Sequence, residues 1–166
     1  MMRSPLFAAA LLLLTPLLAG CGFTPLYATP GVSPGLSSVE SVAPDGRTGF
    51  LLRQALDDVL ARNEALPPAY RLTMDLKETR TPRGRRVDAT ASRYELALRA
   101  NWKLTSVTTG AVALEGSTST EVTFDRADQP YSAIVANQDA QSRAASELAR
   151  KIQLQLADWM ARTGGQ

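Results

Sequence analysis

The stretch Arg93-Tyr94-Glu95-Leu96-Ala97-Leu98-Arg99-Ala100-Asn101-Trp102-Lys103-Leu104 alternates with a period of two. Tyr94, Leu96, Leu98, Ala100, Trp102 and Leu104 fall on one face; Arg93, Glu95, Arg99, Asn101 and Lys103 fall on the other. Successive side chains of an extended chain point to opposite sides, so this is the pattern of a strand with one face buried and one in water. The preceding run repeats it, with Tyr70, Leu72, Met74 and Leu76 apolar and Arg71, Thr73, Asp75 and Lys77 polar. After the turn signal Thr109-Gly110, Val112, Leu114, Val122 and Phe124 occupy the even face of a third run. Gly116, Thr118 and Thr120 weaken its middle, where a bulge or an edge position is expected. Three such runs predict an antiparallel meander.

Other segments change period. Leu52, Ala55, Leu56, Val59 and Leu60 recur at helical spacing, with Arg53, Gln54, Asp57 and Asp58 on the remaining faces, and Pro67-Pro68 bars continuation. Before this helix, residues 36–43 carry Val39 and Val42 and form a weaker strand candidate ended by Pro44-Asp45-Gly46. The last helix has a stripe of Ala145, Leu148, Ile152, Leu156 and Trp159, starting at Asn137 or Asp139 and stopping at Gly164-Gly165. Residues 125–136 before it, with Pro130 and Tyr131, are expected to form a long contact loop. Each strand has one apolar face and each helix one apolar stripe. The expected fold is therefore α+β, a two-layer sandwich in the order β-α-β-β-β-α, with two helices on one face of a four-stranded, mostly antiparallel sheet. The other sheet face stays polar and open to a ligand or partner.

Composition excludes much. The chain has 166 residues and no histidine, so the Ser-His-Asp and Cys-His nucleophile systems and the commonest transition-metal ligand sets are ruled out. The acids are scattered, and Asp57-Asp58 are helix neighbours that do not face each other, so no carboxylate pair for hydrolysis is marked and no enzyme is expected. With 18 basic residues against 16 acidic ones there is no footprint for nucleic acid. The single cysteine, Cys21, allows no disulfide within the chain.

Residues 1–20 carry Arg3, a short apolar run and the small residues Ala19-Gly20 ahead of Cys21. Leu18-Ala19-Gly20-Cys21 resembles the lipobox of bacterial lipoproteins. That resemblance implies a signal peptide over residues 1–20, cleavage before Cys21, and a diacylglycerol thioether plus an N-acyl chain on Cys21 as the only attached groups, with no cofactor. Two or more acyl chains hold a protein firmly at a membrane, at roughly 0.8 kcal/mol per buried methylene. The apolar run between Pro5 and Pro16 is well short of the roughly 20 residues of a spanning helix. Residues 21–35, with Pro25, Pro30, Pro34, Gly31 and Gly35, read as a lipidated tether, and residues 36–166 as one domain.

The opening Cys21-Gly22-Phe23-Thr24-Pro25-Leu26-Tyr27, the order of elements and the closing stretch 131–152 resemble the LPS-assembly lipoprotein family, LptE. The resemblance implies a non-enzymatic outer-membrane lipoprotein that complexes with a β-barrel LPS translocon of the LptD type. There it supports barrel assembly, plugs the barrel and contacts lipopolysaccharide on its way to the surface. Gly22 in place of an aspartate after the cysteine favours the outer membrane, with the domain on the periplasmic side, within or beside the barrel. The alternative is a free-standing envelope lipoprotein that binds lipid or assists another export system.

Two basic sets are candidates for lipopolysaccharide or partner contact. Arg83, Arg85 and Arg86 lie on an expected hairpin loop, where planar guanidinium forks suit phosphate and carboxylate groups. Arg93, Arg99 and Lys103 share the polar strand face, interrupted by Glu95. A solvated, charge-bearing surface is the competing reading of both. Tyr94, Trp102 and Trp159 belong on inward faces, and Phe23 and Tyr27 are expected to dock onto protein.

Overall fold

The computed structural model describes residues 30–85, 91–127 and 129–163. Its elements are α1 (Val32–Ser37), β1 (Val39–Val42), α2 (Arg47–Val59), β2 (Tyr70–Arg85), β3 (Ala91–Ser106), β4 (Val112–Asp125) and α3 (Pro130–Thr163). The sheet order is β1-β2-β3-β4, with β1 parallel to β2 and the other pairs antiparallel. A parallel pair needs a crossover, and α2 supplies it. The α+β sandwich expected from periodicity is the fold observed, with α1 as an additional short helix.

Alternation fixes which sheet face is dry. Leu72, Leu96, Leu98, Ala100, Trp102, Leu104 and Val122 are buried under α2 and α3, and the odd positions between them are largely exposed. From α2 come Leu52 and Leu56; from α3 come Ala140, Ala144, Ala145, Leu148, Ala149, Ile152, Leu156, Ala157 and Met160. The helices run in the same direction. Near the start of α2, Thr48 Oγ1 donates to Glu78 at 2.6 Å and Gln141 Nε2 donates to the same carboxylate at 3.1 Å, whereas at its end Gln153 Nε2 donates to the Val59 carbonyl at 2.5 Å. Gly49 allows the entry to α2, since a Cβ there would stand 1.9 Å from the Pro44 carbonyl oxygen.

In β4, Thr118 and Thr120 are buried polar residues on the inner face. Trp102 Nε1 donates to Thr118 Oγ1 at 2.9 Å, and that hydroxyl donates to Gln155 Oε1 at 3.2 Å, so the hydrogen-bonding groups are satisfied. The Trp102 ring lies over Gly116, where a Cβ would come within 2.6 Å of Cζ2. β4 is an edge strand, and a register shift at Leu104/Thr105 sets Val112 opposite Thr105. The expected weakness of this strand is thus real, but its irregularity lies at the start. Val112, expected on the inner face, is exposed.

Three boundaries differ from the sequence reading. The tether expected through residue 35 ends sooner, because residues 32–35 belong to α1. Pro34 sits in the first turn, where its missing N–H costs nothing, and burial of Val32 and Leu36 holds the helix. Residues 130–136 are helical and not loop. Pro130 suits a first helical position, and the exposed Tyr131, Ile134 and Val135 hide the core periodicity there. The expected hairpin loop at residues 81–86 is strand as far as Arg85, with Thr81 opposite Glu95, Pro82 opposite Tyr94 and Arg83 opposite Arg93. Pro82 is tolerated because β1 ends opposite Thr73 and leaves this part of β2 as an open edge.

Candidate ligand and partner surface

The outward face of the sheet is polar and charge-balanced. Arg71, Lys77, Arg83, Arg93, Arg99 and Lys103 share it with Glu40, Asp75, Glu95, Glu115, Glu121 and Asp125. Most of the cations are engaged. Arg71 Nε pairs with Glu40 at 2.9 Å, Arg93 Nε with Asp125 at 3.0 Å and Lys103 Nζ with Glu115 at 3.7 Å. Arg83 holds both oxygens of Glu95, through Nη2 at 2.8 Å and Nε at 3.2 Å. The hydrogen bonds that Arg83 donates to Glu95 are the main reason that its guanidinium is held even more firmly protonated than usual.

Antiparallel register joins the two sequence sets. Arg83, assigned to the loop, faces Arg93, assigned to the strand, and a cleft of about 280 Å³ lined by Arg83, Gly84, Arg93 and Asp125 opens beside them. Arg85 follows at the end of β2, opposite Ala91; Arg86 lies outside the described residues. Cys21, Phe23, Tyr27 and the signal segment also lie outside them. Arg99 has a different neighbour. Lys77 stands directly opposite it, and neither cation has an ion-pair partner among the described residues. Alternation had put Lys77 on the polar face, but only register shows that two cations meet there.

Lys103 lines a separate depression of about 610 Å³ with Thr73, Asp75, Asn101 and Glu115, floored by Met74, Trp102 and Gly116. Its mixture of carboxylate, amide, hydroxyl and ammonium groups suits a hydrogen-bonding partner surface better than a lone phosphate. Along the strands from there, Lys77 and Arg99 offer charge without a counter-ion, and Arg83 and Arg93 offer two forks already shared with carboxylates. Uncompensated positive charge is thus greatest at the first pair, while the second pair is shared with carboxylates.

Other charge perturbations lie under or beside the helices. Burial is the main cause raising the Asp57 carboxyl above its ordinary value of 3.8, and Ser41 and Arg53 pull it partly back. Lys151 and Thr120 hold Glu147 below the usual carboxylate range, chiefly through hydrogen bonding to Lys151. Lys151 also donates to the Ser119 carbonyl at 3.1 Å, tying α3 to the β4 edge. No group of residues able to hold a metal ion occurs among the described residues, nor is any of their helices long and apolar enough to cross a membrane.

The family model described as LptE, lipopolysaccharide-assembly, matches residues 36–156, which include β1 to β4, α2 and most of α3. A crystal structure of a lipoprotein from Caulobacter crescentus CB15 is 51% identical, covers 80% of this chain and 97% of its own, and superposes with a TM-score of 0.71. Lipoprotein B from Nitrosomonas europaea, at 14% identity, covers 76% of this chain and 84% of its own with a TM-score of 0.55. A minor lipoprotein from Acinetobacter baumannii, at 13% identity, covers 72% and 88% respectively with a TM-score of 0.52. At such identities the last two likenesses are of fold alone. No curated protein matches the chain.

Proposed function

The chain belongs to the LptE lipopolysaccharide-assembly family, and from that premise we propose that it is an outer-membrane lipoprotein acting as the stoichiometric partner of a β-barrel LPS translocon. It supports assembly of the barrel, plugs it, and contacts lipopolysaccharide in transit. The observation that carries this reading is the family match across residues 36–156, because it spans nearly the whole described body. Cys21 is the acylation site, and residues 1–20 are the signal removed before it.

The surface described above is compatible with the proposal in two ways. The charge-balanced outward face, rich in Thr, Ser and Asn, can pair with a polar barrel interior without assembling a large unopposed charge. Lys77 and Arg99, which have no ion-pair partner among the described residues, and the Arg83 and Arg93 forks, with Arg85 and Arg86 following Arg83 in sequence, supply cations for the phosphates and carboxylates of lipopolysaccharide. The protein binds and positions; it transforms nothing.

Affinity purification of the tagged, acylated chain at native expression tests the proposal, with a barrel protein recovered in stoichiometric amount as the expected result. Recovery of the chain alone, together with normal surface lipopolysaccharide after its depletion, would leave the free-standing envelope lipoprotein as the better account.

A further inference from the structure

The two ends of the sheet differ in chemistry. At the end where β2 meets β3 across Arg83 and Arg93 stand Arg80, Glu95, Asp125 and Arg126, all charged. At the other end, residues 61–69 hold only Arg62 and Glu64 as charged groups, and residues 106–112 hold none. Arg62 is not free to solvent there, since it is turned onto backbone: it donates to the carbonyls of Ser37, Asn63 and Leu66. Arg162 and Asp158, at the nearby end of α3, pair with each other.

This charge-poor end is one tied platform. Asn63 N donates to Ser37 O, Ala69 N to Ser38 O at 3.0 Å and Val107 N to Ala69 O at 2.9 Å, so the end of α1, the 61–69 loop and the β3–β4 turn hold one another. Large apolar side chains project from it. Leu66 is 52% exposed, Val107 46% and Val112 54%. The chain also enters the body here, because α1 leads directly into β1 and packs its Gly35 against Met160 near the end of α3.

Residues 22–30 connect Cys21 to Gly31, and nine residues span at most about 30 Å when fully extended. An acylated Cys21 therefore holds this platform within about 30 Å of the bilayer surface, whereas the arginine-rich end lies about 50 Å further along a 16-residue strand. We propose that, before the body enters a barrel, Leu66, Val107 and Val112 form a docking surface for the lipid interface, entering the headgroup region beside the acyl anchor and setting the sheet upright on the membrane. The inference rests on the lipoprotein reading. Exposed apolar side chains favour that boundary, and the anchor lowers the cost of reaching it.

The test uses the full acylated chain in phosphatidylethanolamine and phosphatidylglycerol vesicles without a barrel. A nitroxide is placed through Val107→Cys, or through Arg83→Cys as the control, with the Cys21 sulfur already consumed by its thioether. Mass measurement and flotation come first: an unmodified sulfur, or failure to float, sinks the lipoprotein reading and the docking with it. With a floating protein, the Val107 label should lose collisions with aqueous nickel and gain collisions with oxygen, while the Arg83 label stays aqueous. Leu66→Asp with Val112→Asp should return the Val107 label to water while flotation persists. Two equally aqueous labels on a floating protein would overturn the inference, as would protection appearing only when a barrel partner is added, which would make this end a protein contact.

Discussion

Lys77 faces Arg99 across the β2–β3 ladder, and no carboxylate pairs with either among the described residues. Side chains directly opposite on one face lie about 4.5–5.5 Å apart at Cβ, and like charges at that distance are destabilising. A sheet that carries such a pair beside many neutralised cations gives up stability there. Lys77→Glu should convert repulsion into a cross-strand ion pair and raise stability by about 0.2–1 kcal/mol, seen as a higher urea midpoint with unchanged slope. If the pair serves lipopolysaccharide, the same change weakens binding, most strongly at low salt. A variant both more stable and undiminished in binding would make the pair a bystander.

The Trp102–Thr118 hydrogen bond predicts a different response. Thr118→Val keeps the shape of the residue but leaves a buried indole N–H without its acceptor, at a cost of about 1–3 kcal/mol. Trp102→Phe in that background should cost less than it does in the wild type, since the orphaned donor leaves with the indole. Chemical denaturation of the four proteins of the cycle measures the difference.

Asp57 gives a pH-dependent prediction. Its carboxyl has a higher pKa folded than unfolded, chiefly through burial, so the unfolded state gives up the proton more readily as pH rises. The ionised side chain therefore opposes folding at neutral pH, and the penalty fades as pH falls through the folded value towards the ordinary 3.8. Asp57→Asn should raise Tm at pH 7 and lose that advantage below about pH 4. Melting curves across that range check it; an advantage that grows in acid would reverse the sign of the argument.

Leu36 tests whether α1 belongs to the folded body. It is 3% exposed within the main core, and Leu36→Ala should cost about 2–5 kcal/mol. A short helix resting loosely on the surface would cost little there, so the urea midpoint decides. Leu36 also marks how far sequence reasoning reached. Strong alternation in β3 and the Leu148–Ile152–Leu156 stripe of α3 made the two layers legible, because buried faces impose a period. α1 was not legible, since one and a half turns carry no period and Pro34 and Gly35 argue for a break unless the core holds them. The first turns of α3 were missed for the opposite reason: Tyr131, Ile134 and Val135 are apolar but uncovered. In the candidate surface, face could be read from the sequence but register could not. Arg83 was therefore separated from Arg93, and Lys77 was passed over.

Charge reversal of Arg83, Arg85 and Arg86 together addresses the arginine-rich end. Arg83 is already committed to Glu95, so a phosphate has to compete for its fork, whereas it meets no such competition at Lys77 and Arg99. Exposed ion pairs exchange readily because water and salt screen them, so the competition is feasible. The triple variant should reduce lipopolysaccharide binding most strongly at low ionic strength, and adding Lys77→Glu should lower it further. Binding by the acylated chain at two salt concentrations checks both effects. An unchanged affinity in the triple variant would assign these arginines to keeping the end of the sheet solvated.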